Sequence, residues 1–306
     1  MEIRQLRYFL KIADAGSFSR ASQALHVAQS ALSSRILELE QELGVRLLHR
    51  KRSGVGLSEH GRTFYAHAQR IVRQLDELPQ IMRQATGGIT GRVAIGLPAS
   101  TALRFAAPLL DAAAEVCPGV GLELFDEPSG NLRRGIESGR LDLAVMVSDE
   151  DAHGLQAIAL MDEELFFVAA PGTALPVAMP VADLASQRLA LPSQNQGVRQ
   201  LVEQAVRAAG VELPVPAVQA NSLGIMLHSA ERGLAASILP WTAVQDRVAA
   251  GTLQAVPLVP ALSRRVRVCS APEQPLSAAG DAVLALLLQV VRQQVARGAW
   301  RGVRLL

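Results

Sequence analysis

The sequence predicts an α+β chain of several domains, with a small helical unit first, a long linker helix next, and a two-lobed α/β region last. A length of 306 residues is enough for two or three domains. Apolar residues recur at helical spacing up to residue 43 and again over residues 58–84, whereas apolar strands alternate with helices from residue 93 onward. The predicted boundaries are 1–58, 59–90 and 91–306, with lobe I at 91–162 plus 266–306 and lobe II at 163–265.

Two short helices are predicted at the N-terminus. The first is indicated by apolar residues at positions i, i+3, i+4 and i+7, namely Leu6, Phe9, Leu10 and Ala13. Gly16 can end this helix in the left-handed conformation, and Ser17 is suited to cap the second. The second helix has Phe18, Ala21 and Leu25 on its apolar face. A tight turn at residues 26–28 is expected to follow.

A third helix is predicted from Gln29 to a stop at Gly44. Its inner face is expected to consist of Leu32, Ile36, Leu39 and Leu43. The outward residues at its start are short and polar, whereas Glu38, Glu40 and Glu42 crowd its far end, so only its first two turns can approach a polyanion. This is the pattern of a helix-turn-helix whose second helix enters the DNA major groove. We predict DNA contacts from Gln29, Ser30, Ser33, Ser34 and Arg35, because Gln pairs with adenine and Ser with several base edges.

The next segment, residues 45–57, is predicted to form a β-wing. It combines an apolar pair, a basic cluster and a glycine turn. Arg50, Lys51 and Arg52 can neutralise phosphates there and release counterions. A solvated basic loop is the alternative, and the position directly after a helix-turn-helix favours the wing.

An ordered set of residues in this region carries a family resemblance. The set is Leu6-Arg7-Tyr8-Phe9, Gly16-Ser17-Phe18, Ala21-Ser22, Leu25, Gln29-Ser30-Ala31-Leu32-Ser33, Ile36, Leu39-Glu40, Leu43-Gly44, Leu47-Leu48, Arg50, Leu57-Ser58 and Gly61. With it the chain resembles the LysR-type transcriptional regulators and, within them, the nitrogen assimilation control proteins. Ser30 replaces a common proline, which loosens the helix start, and Ser58 replaces threonine but keeps a capping hydroxyl.

Composition and charge agree with a DNA-binding protein. The net charge is only +2, but residues 1–92 contain 14 Lys and Arg against 8 Asp and Glu, whereas residues 93–306 contain 16 against 20. Cys117 and Cys269 are isolated, which favours reduced structural thiols over a disulfide, a redox pair or a metal site. We expect a soluble, cytoplasmic protein, because no apolar leader and no apolar run of roughly 20 residues is present.

Residues 58–84 are predicted to form a linker helix capped by Ser58. A heptad-like apolar seam follows along it: Phe64, Ala68, Ile71, Leu75, Leu78 and Met82. This seam favours pairing with a second copy of the chain, although packing onto the same chain is the alternative. Pro79 is expected to kink the helix or end it early. Residues 86–91 have the composition of a hinge.

The region from residue 93 predicts two sets of strands and helices. Strands are expected at 93–97, 122–125, 141–147, 164–169, 189–191, 215–218, 236–239 and 266–269. Small polar residues follow four of them, at Ser100 and Thr101, Ser129 and Asn131, Ser193 and Gln194, and Asn221 and Ser222. Helix capping is the simpler role at any one turn, but ligands bind beyond the carboxyl ends of such strands.

The family resemblance adds a binding site to these turns. It implies a C-terminal domain like the periplasmic binding proteins, with a small and possibly anionic effector between the lobes. By position, Ser100, Thr101, Ser129, Val147, Ser193 and Asn221 would line it. Arg199, one turn into a helix, could either pair with a carboxylate of the ligand or lie on the surface.

No catalytic or cofactor motif was found. The chain has no phosphate-binding loop, no His-Glu-x-x-His and no Gly-x-Ser-x-Gly, and its histidines are scattered, so we expect no enzyme, no metal and no cofactor. The prediction is a sequence-specific transcription regulator that acts as a homodimer or homotetramer on promoter DNA. An effector-independent regulator and a sequence-nonspecific architectural protein remain the alternatives.

Overall fold

A computed structural model describes residues 1–51, 54–83, 88–194, 197–272, 275–298 and 300–306. The chain divides into two compact units. The N-terminal unit comprises residues 1–87 with the short segment 137–140, and the C-terminal unit comprises the remainder. No helix within the described ranges is both long and apolar enough to cross a bilayer.

The three N-terminal helices form as predicted. They are α1 (Ile3–Ala15), α2 (Phe18–Leu25) and α3 (Gln29–Leu43). Gly16 and Gly44 both end helices in the left-handed conformation, and the Ser17 hydroxyl accepts the Arg20 amide at the start of α2. The turn between α2 and α3 depends on His26, whose φ of 54° is left-handed.

The predicted wing is a two-stranded antiparallel sheet. It consists of β1 (Leu48–Lys51) and β2 (Gly54–Leu57), with Leu48 opposite Leu57 and Lys51 opposite Gly54. The Val55 amide donates to the Gly16 carbonyl at 2.8 Å, which fixes the wing to the turn after α1. A Cβ at position 54 would lie 2.5 Å from that same carbonyl oxygen, so only glycine fits there.

The core of this unit is built by the predicted apolar stripes, with one correction. The buried residues are Leu6, Phe9, Ile12, Ala21, Leu32, Ile36, Leu39, Leu47 and Ala68. Leu43, predicted on the inner face of α3, is instead exposed. It is the last residue of the helix, and Gly44 turns the chain away before another element can cover it.

The linker helix α4 (Glu59–Arg83) begins where predicted. The Ser58 hydroxyl accepts the Gly61 amide at 2.8 Å and donates to the Arg46 carbonyl at 2.6 Å. Pro79 does not end the helix early, because α4 continues to Arg83, whereas the alternative of a kink at Pro79 stays a prediction. Of the predicted hinge, residues 86 and 87 lie outside the described residues.

The C-terminal unit alternates strands and helices. Its strands are β3 (Gly91–Leu97), β4 (Val120–Asp126), β5 (Leu143–Met146), β6 (Gln156–Ala169), β7 (Met179–Pro180), β8 (Leu189–Leu191), β9 (Val218–Gln219), β10 (Ala236–Pro240), β11 (Gln254–Val259), β12 (Ser263–Ser270) and β13 (Val303–Leu305). Its helices are α5 (Ala99–Val116), α6 (Ser129–Glu137), α7 (Asp149–Ala152), α8 (Gly197–Ala208), α9 (Leu223–Glu231), α10 (Trp241–Ala249) and α11 (Ala278–Ala296), with a 3₁₀ helix at Val181–Ser186.

Two lobes share one continuous strand. The sheet order is β4-β3-β5-β12-β6-β10-β8-β9, and β11 and β13 also pair with β6. Lobe I is the part from β4 to β12 with α5, α6, α7 and α11, whereas lobe II is the part from β10 to β9 with β7, β11, α8, α9 and α10. Strand β6 pairs with β12 in its first half and with β10 and β11 in its second. It therefore runs straight through the predicted boundary between residues 162 and 163.

Several strands differ from the sequence prediction. The strand expected at 164–169 begins eight residues earlier, at Gln156, because its first half pairs with β12. The strand expected at 215–218 is only Val218–Gln219. Strands β11 and β13 were not predicted, since their hydrogen bonds go to a distant part of the chain.

Candidate nucleic-acid interface and ligand cleft

The start of α3 presents a polar surface. Gln29, Ser30, Ser34 and Arg35 are exposed, and Ser33 is half-buried. No side chain caps this helix, because the cap position is Ala28. The amides of its first turn and the positive end of its dipole are therefore open to an anion such as phosphate.

Two of the predicted DNA-contacting side chains have a partner on the same helix. Arg35 forms an ion pair with Glu38 at 2.9 Å, and the Ser34 hydroxyl donates to the other Glu38 oxygen at 3.4 Å. Both Arg35 and Glu38 are about half exposed, so the pair is weak and can exchange for a phosphate. Glu38 therefore reduces the access of DNA to the second turn of α3 but does not prevent it.

Glu40 has a structural role at this site that the sequence did not predict. Its side chain is buried, and its Oε1 atom accepts the backbone amides of Leu47 and Leu48 at 2.7 and 3.1 Å. Arg46 pairs with its other oxygen at 3.3 Å. The carboxylate thus fixes the first residues of the wing to α3. The available signal was its position four residues after Ile36, on the apolar stripe.

The basic residues of the wing stay predictions. Arg50 and Lys51 belong to β1, but their side chains are not among those described. Arg52 lies outside the described residues altogether.

The C-terminal unit contains a cavity of about 480 Å³ between its lobes. Lobe I contributes the turns that begin α5 and α6, and lobe II contributes the starts of α8 and α9 and the end of β10. Its lining includes Pro98, Ala99, Ser100, Asp126, Ser129, Val147, Gly197, Asn221, Ser222, Gly224, Arg247 and Arg264. Several helix N-termini therefore converge on this cavity, the cleft.

Four of the seven predicted effector residues line this cleft: Ser100, Ser129, Val147 and Asn221. The other three do not. Ser193 is hydrogen-bonded to Asn221, whose Oδ1 atom accepts the Ser193 amide at 2.9 Å and its hydroxyl at 3.0 Å. Arg199 is buried and forms an ion pair with Glu203 at 2.5 Å, and Thr101 is buried in α5.

The polar residues at these turns are not all helix caps. Ser222 caps α9 by accepting the Ile225 amide, as the simpler interpretation requires. Helix α5, however, has Pro98 at its cap position, and the Ser100 hydroxyl accepts a hydrogen bond from Arg264 at 2.9 Å. Asn221 holds Ser193 instead. Capping therefore does not account for Ser100 and Asn221.

A buried ion pair at the back of the cleft was not predicted. Arg264 of β12 is 4% exposed and lies opposite Glu163 of β6, which is 1% exposed. Its Nε and Nη2 atoms lie 2.8 and 2.7 Å from the same carboxylate oxygen, and the Thr242 hydroxyl donates to the other at 2.6 Å. The sequence prediction placed the start of β12 at residue 266. It therefore did not include Arg264 and Arg265 in the strand, where successive side chains point to opposite faces of the sheet.

Other charged groups surround the cleft. Arg247 lines it and pairs with Glu231 at 2.8 Å. Glu127 and Asp126 contribute carboxylates, and Asp126 is exposed at the end of β4. Partial desolvation of its carboxyl group nevertheless raises the pKa of Asp126 above its usual value. The cleft therefore offers both signs of charge to a ligand.

Comparison with known protein families gives two matches. Residues 3–62 match the bacterial regulatory helix-turn-helix protein family of lysR type, and residues 86–292 match the LysR substrate binding domain. The first match covers α1 to the start of α4, and the second covers both lobes.

Individual proteins agree with these matches. The nitrogen assimilation regulatory protein nac of Escherichia coli K12 is 29% identical over 301 residues, which cover 96% of this chain and 97% of that protein. A full-length OxyR variant of Pseudomonas aeruginosa has a TM-score of 0.70 at 24% identity, with 95% of each chain covered. The structure of full-length CbnR in complex with its target DNA has a TM-score of 0.66 at 23% identity, with 96% of this chain and 99% of that chain covered.

Proposed function

Because this chain belongs to the LysR family of transcriptional regulators, we propose that it reads a partly palindromic promoter element as a homo-oligomer and responds to a small molecule in the cleft. It is a DNA-binding regulator with an effector-binding domain, and not an enzyme. One observation carries the proposed readout: the first two turns of α3 have no side-chain cap and present Gln29, Ser30, Ser34 and Arg35 to solvent, opposite the buried Leu32 and Ile36. We propose the cytoplasm as its location, because its proposed binding target is promoter DNA.

The proposed DNA contacts divide into two kinds. Gln29, Ser33 and Ser34 contact base edges, while Ser30, Arg35 and the basic residues Arg50, Lys51 and Arg52 contact phosphates or the groove edge. Base contacts provide specificity, whereas phosphate contacts provide affinity that falls with salt. The division into residues 1–58, 59–90 and 91–306 is part of this proposal, and the proposed lobe boundaries after residues 162 and 265 fall within strands β6 and β12.

The deciding experiment is the sequencing of genomic fragments retained by the purified protein, beside a Gln29→Ala Ser33→Ala double variant. We expect the wild type to enrich a few promoters with a shared two-fold element and the variant to lose that enrichment. If both proteins retained fragments indiscriminately, α3 would not read bases, and the architectural alternative would replace this proposal.

Gln29→Ala alone should weaken binding to an enriched site by about 1–3 kcal/mol and leave binding to random DNA nearly unchanged, because a lost base contact affects only the cognate sequence. Fluorescence anisotropy with both DNAs at one fixed salt concentration measures this. Gln41→Ala is the matched control, since Gln41 is an exposed glutamine at the other end of α3. An equal loss on both DNAs would contradict base readout by Gln29.

The linker helix supports the proposed oligomer. Its first half packs on its own chain: Phe64 meets Phe9 with ring centroids 5.0 Å apart, and the Tyr65 hydroxyl donates to Asp14. Further along α4, Ile71 is 39% exposed and Leu78 is 47% exposed, seven residues apart. Two apolar side chains at heptad spacing fit the same face of a second copy. Reading paired half-sites also requires a two-fold partner.

The Ile71→Glu Leu78→Glu variant should raise the dissociation constant of that pairing at least about a hundredfold, because an unpaired buried carboxylate costs several kcal/mol. Sedimentation velocity over a concentration series measures the assembly. Gln74→Glu adds a similar charge to an exposed position of the same helix and should have no effect. Unchanged assembly of the double variant would refute pairing through this face.

An effector-independent regulator is the second candidate, and contacts between the lobes favour it. Arg104 of α5 pairs with Asp246 of α10 at 2.6 Å, and Gln200 of α8 donates to Glu150 of α7 at 2.9 Å. These contacts join the two lobes through the protein's own side chains. If no small molecule shifts the melting temperature of the protein, this candidate is the better one.

A further inference from the structure

Among the described residues that line the cleft, Arg264 is a deeply buried cation. Arg264 is almost completely buried, yet it belongs to the lining of the cleft. Its hydrogen bonds to Glu163 and Ser100 use Nε and Nη2. The Nη1 amino group takes part in none of these bonds, so it can still donate to a ligand. A guanidinium donor in a low-dielectric site binds carboxylates with directional, charge-assisted hydrogen bonds.

The position of this guanidinium is fixed before any ligand arrives. Glu163 lies directly opposite Arg264 in the pairing of β6 with β12. Thr242 of α10 holds one oxygen of Glu163, and Ser100 of α5 accepts from Arg264. The network therefore connects lobe I, the shared strand β6 and lobe II. Because residues of both lobes hold this network in place, the Arg264 side chain does not have to reorganise when a ligand binds.

The surrounding charges restrict the ligand further. Two helix starts that carry no charged side chain of their own, at Ser100 and at Ser222 with Gly224, also line the cleft and favour a negative group. Among the described lining residues, Asp126 and Glu127 carry carboxylates. A suitable ligand therefore has a carboxylate that binds Arg264. The rest of the molecule, on the side of Asp126, is neutral or cationic.

We propose that the cleft binds a small organic acid through a carboxylate that accepts from Arg264, and that Glu163 both holds that guanidinium in place and partly neutralises its charge. This inference rests on the proposed effector function of the cleft. It replaces Arg199, the cation expected from the sequence, which pairs with Glu203 and does not line the cleft.

A purely structural role of the ion pair makes different predictions. A structural pair would stabilise the fold and would not discriminate among ligands. An anchor for a carboxylate must distinguish an acid from its uncharged amide of the same shape. The affinity of such an anchor for an acid must also change when the Glu163 charge is removed, because the Glu163 carboxylate competes with the ligand for the positive charge of Arg264.

The first experiment measures binding of matched acid and amide pairs to the full-length protein, by melting temperature and by calorimetry. The probes are succinate and succinamide, benzoate and benzamide, and alanine and alaninamide, with putrescine and glucose as a cation and a neutral polyol. We expect at least one acid to bind roughly 10 to 100 times more tightly than its amide. Both members of the alanine pair carry an ammonium group, so comparison of alanine with succinate and benzoate shows whether such a group beside Asp126 helps.

The outcomes separate this inference from the proposed function. If only amides, putrescine or glucose bind, the cleft is an effector site but the carboxylate anchor is wrong. If no probe binds, both the anchor and the effector response are overturned. DNA readout by α3 is unaffected in either case.

The second experiment uses Glu163→Gln, with Arg265→Gln as control. Removal of the Glu163 charge should lower the melting temperature of the free protein, yet strengthen acid binding several-fold and leave amide binding unchanged. Arg265 is the neighbour of Arg264, pairs with Asp162 across the same two strands at 2.7 Å and does not line the cleft. Its loss should not alter acid binding.

Arg264→Gln should abolish the preference for the acid. If that variant does not fold, the comparison of acids with amides in the wild type and in Glu163→Gln still tests the carboxylate anchor. Acid binding that is equally tight in Arg264→Gln, or a Glu163→Gln variant that weakens acid and amide alike, would overturn the proposal.

Discussion

Phe9→Ala should lower the free energy of unfolding of the N-terminal unit by about 3–5 kcal/mol. Phe9 is completely buried, and its ring meets Phe64 at 5.0 Å and Tyr65 at 6.4 Å in edge-to-face geometry. The same ring therefore belongs to the core of the helix-turn-helix and to the packing of α4 on α1. Its removal leaves a cavity and loses both aromatic contacts.

Urea denaturation with two probes can measure this loss in the full-length protein. The chain has two tryptophans, Trp241 and Trp300, both in the C-terminal unit, so their fluorescence reports that unit alone. Circular dichroism reports both units. We expect Phe9→Ala to shift the dichroism transition assigned to the N-terminal unit and to leave the fluorescence midpoint in place.

Two further variants define the cause of the Phe9→Ala effect. Phe9→Leu keeps most of the volume and should lose less than half as much stability. Leu37→Ala removes an exposed apolar side chain from the same unit and should be nearly neutral. A Phe9→Ala protein with an unchanged dichroism curve would show that this core does not hold α4 to the helix-turn-helix.

Most of the N-terminal unit could be predicted because its contacts are local. The spacing of Leu6, Phe9, Leu32, Ile36 and Leu39 determines which faces of the helices are buried. Left-handed stops at glycine and serine caps depend on one or two residues, so they are equally visible in the sequence. The prediction that Leu43 is buried was wrong because the spacing of apolar residues along α3 does not show where the element that would cover Leu43 ends.

The cleft was harder to predict because its charged residues come from strands that pair over long distances in sequence. Glu163 and Arg264 are separated by 101 residues. Local polarity was enough to locate Ser100, Ser129 and Asn221, which follow strands at their carboxyl ends. It could not separate Arg199, which is satisfied by Glu203 one turn away, from an arginine that faces the ligand.

Glu40 gives the second large expected effect. Glu40→Ala should destabilise the N-terminal unit by about 2–5 kcal/mol, because the amides of Leu47 and Leu48 would lose their acceptor in a largely buried site. Glu40→Gln keeps a carbonyl oxygen at the same position and should lose less. The same urea titration followed by circular dichroism measures both variants.

The two neighbouring glutamates make this test specific. Glu38 and Glu42 lie on the same helix, are exposed, and pair with Arg35 and the N-terminal ammonium group. Their alanine variants should change stability by less than about 1 kcal/mol. The sequence presents Glu38, Glu40 and Glu42 as one acidic run, but only Glu40 connects α3 to the wing. Equal effects of all three substitutions would mean that the run acts through net charge. A large loss at Glu40 alone, with weaker and less salt-dependent DNA binding, would show that it positions the wing for phosphate contact.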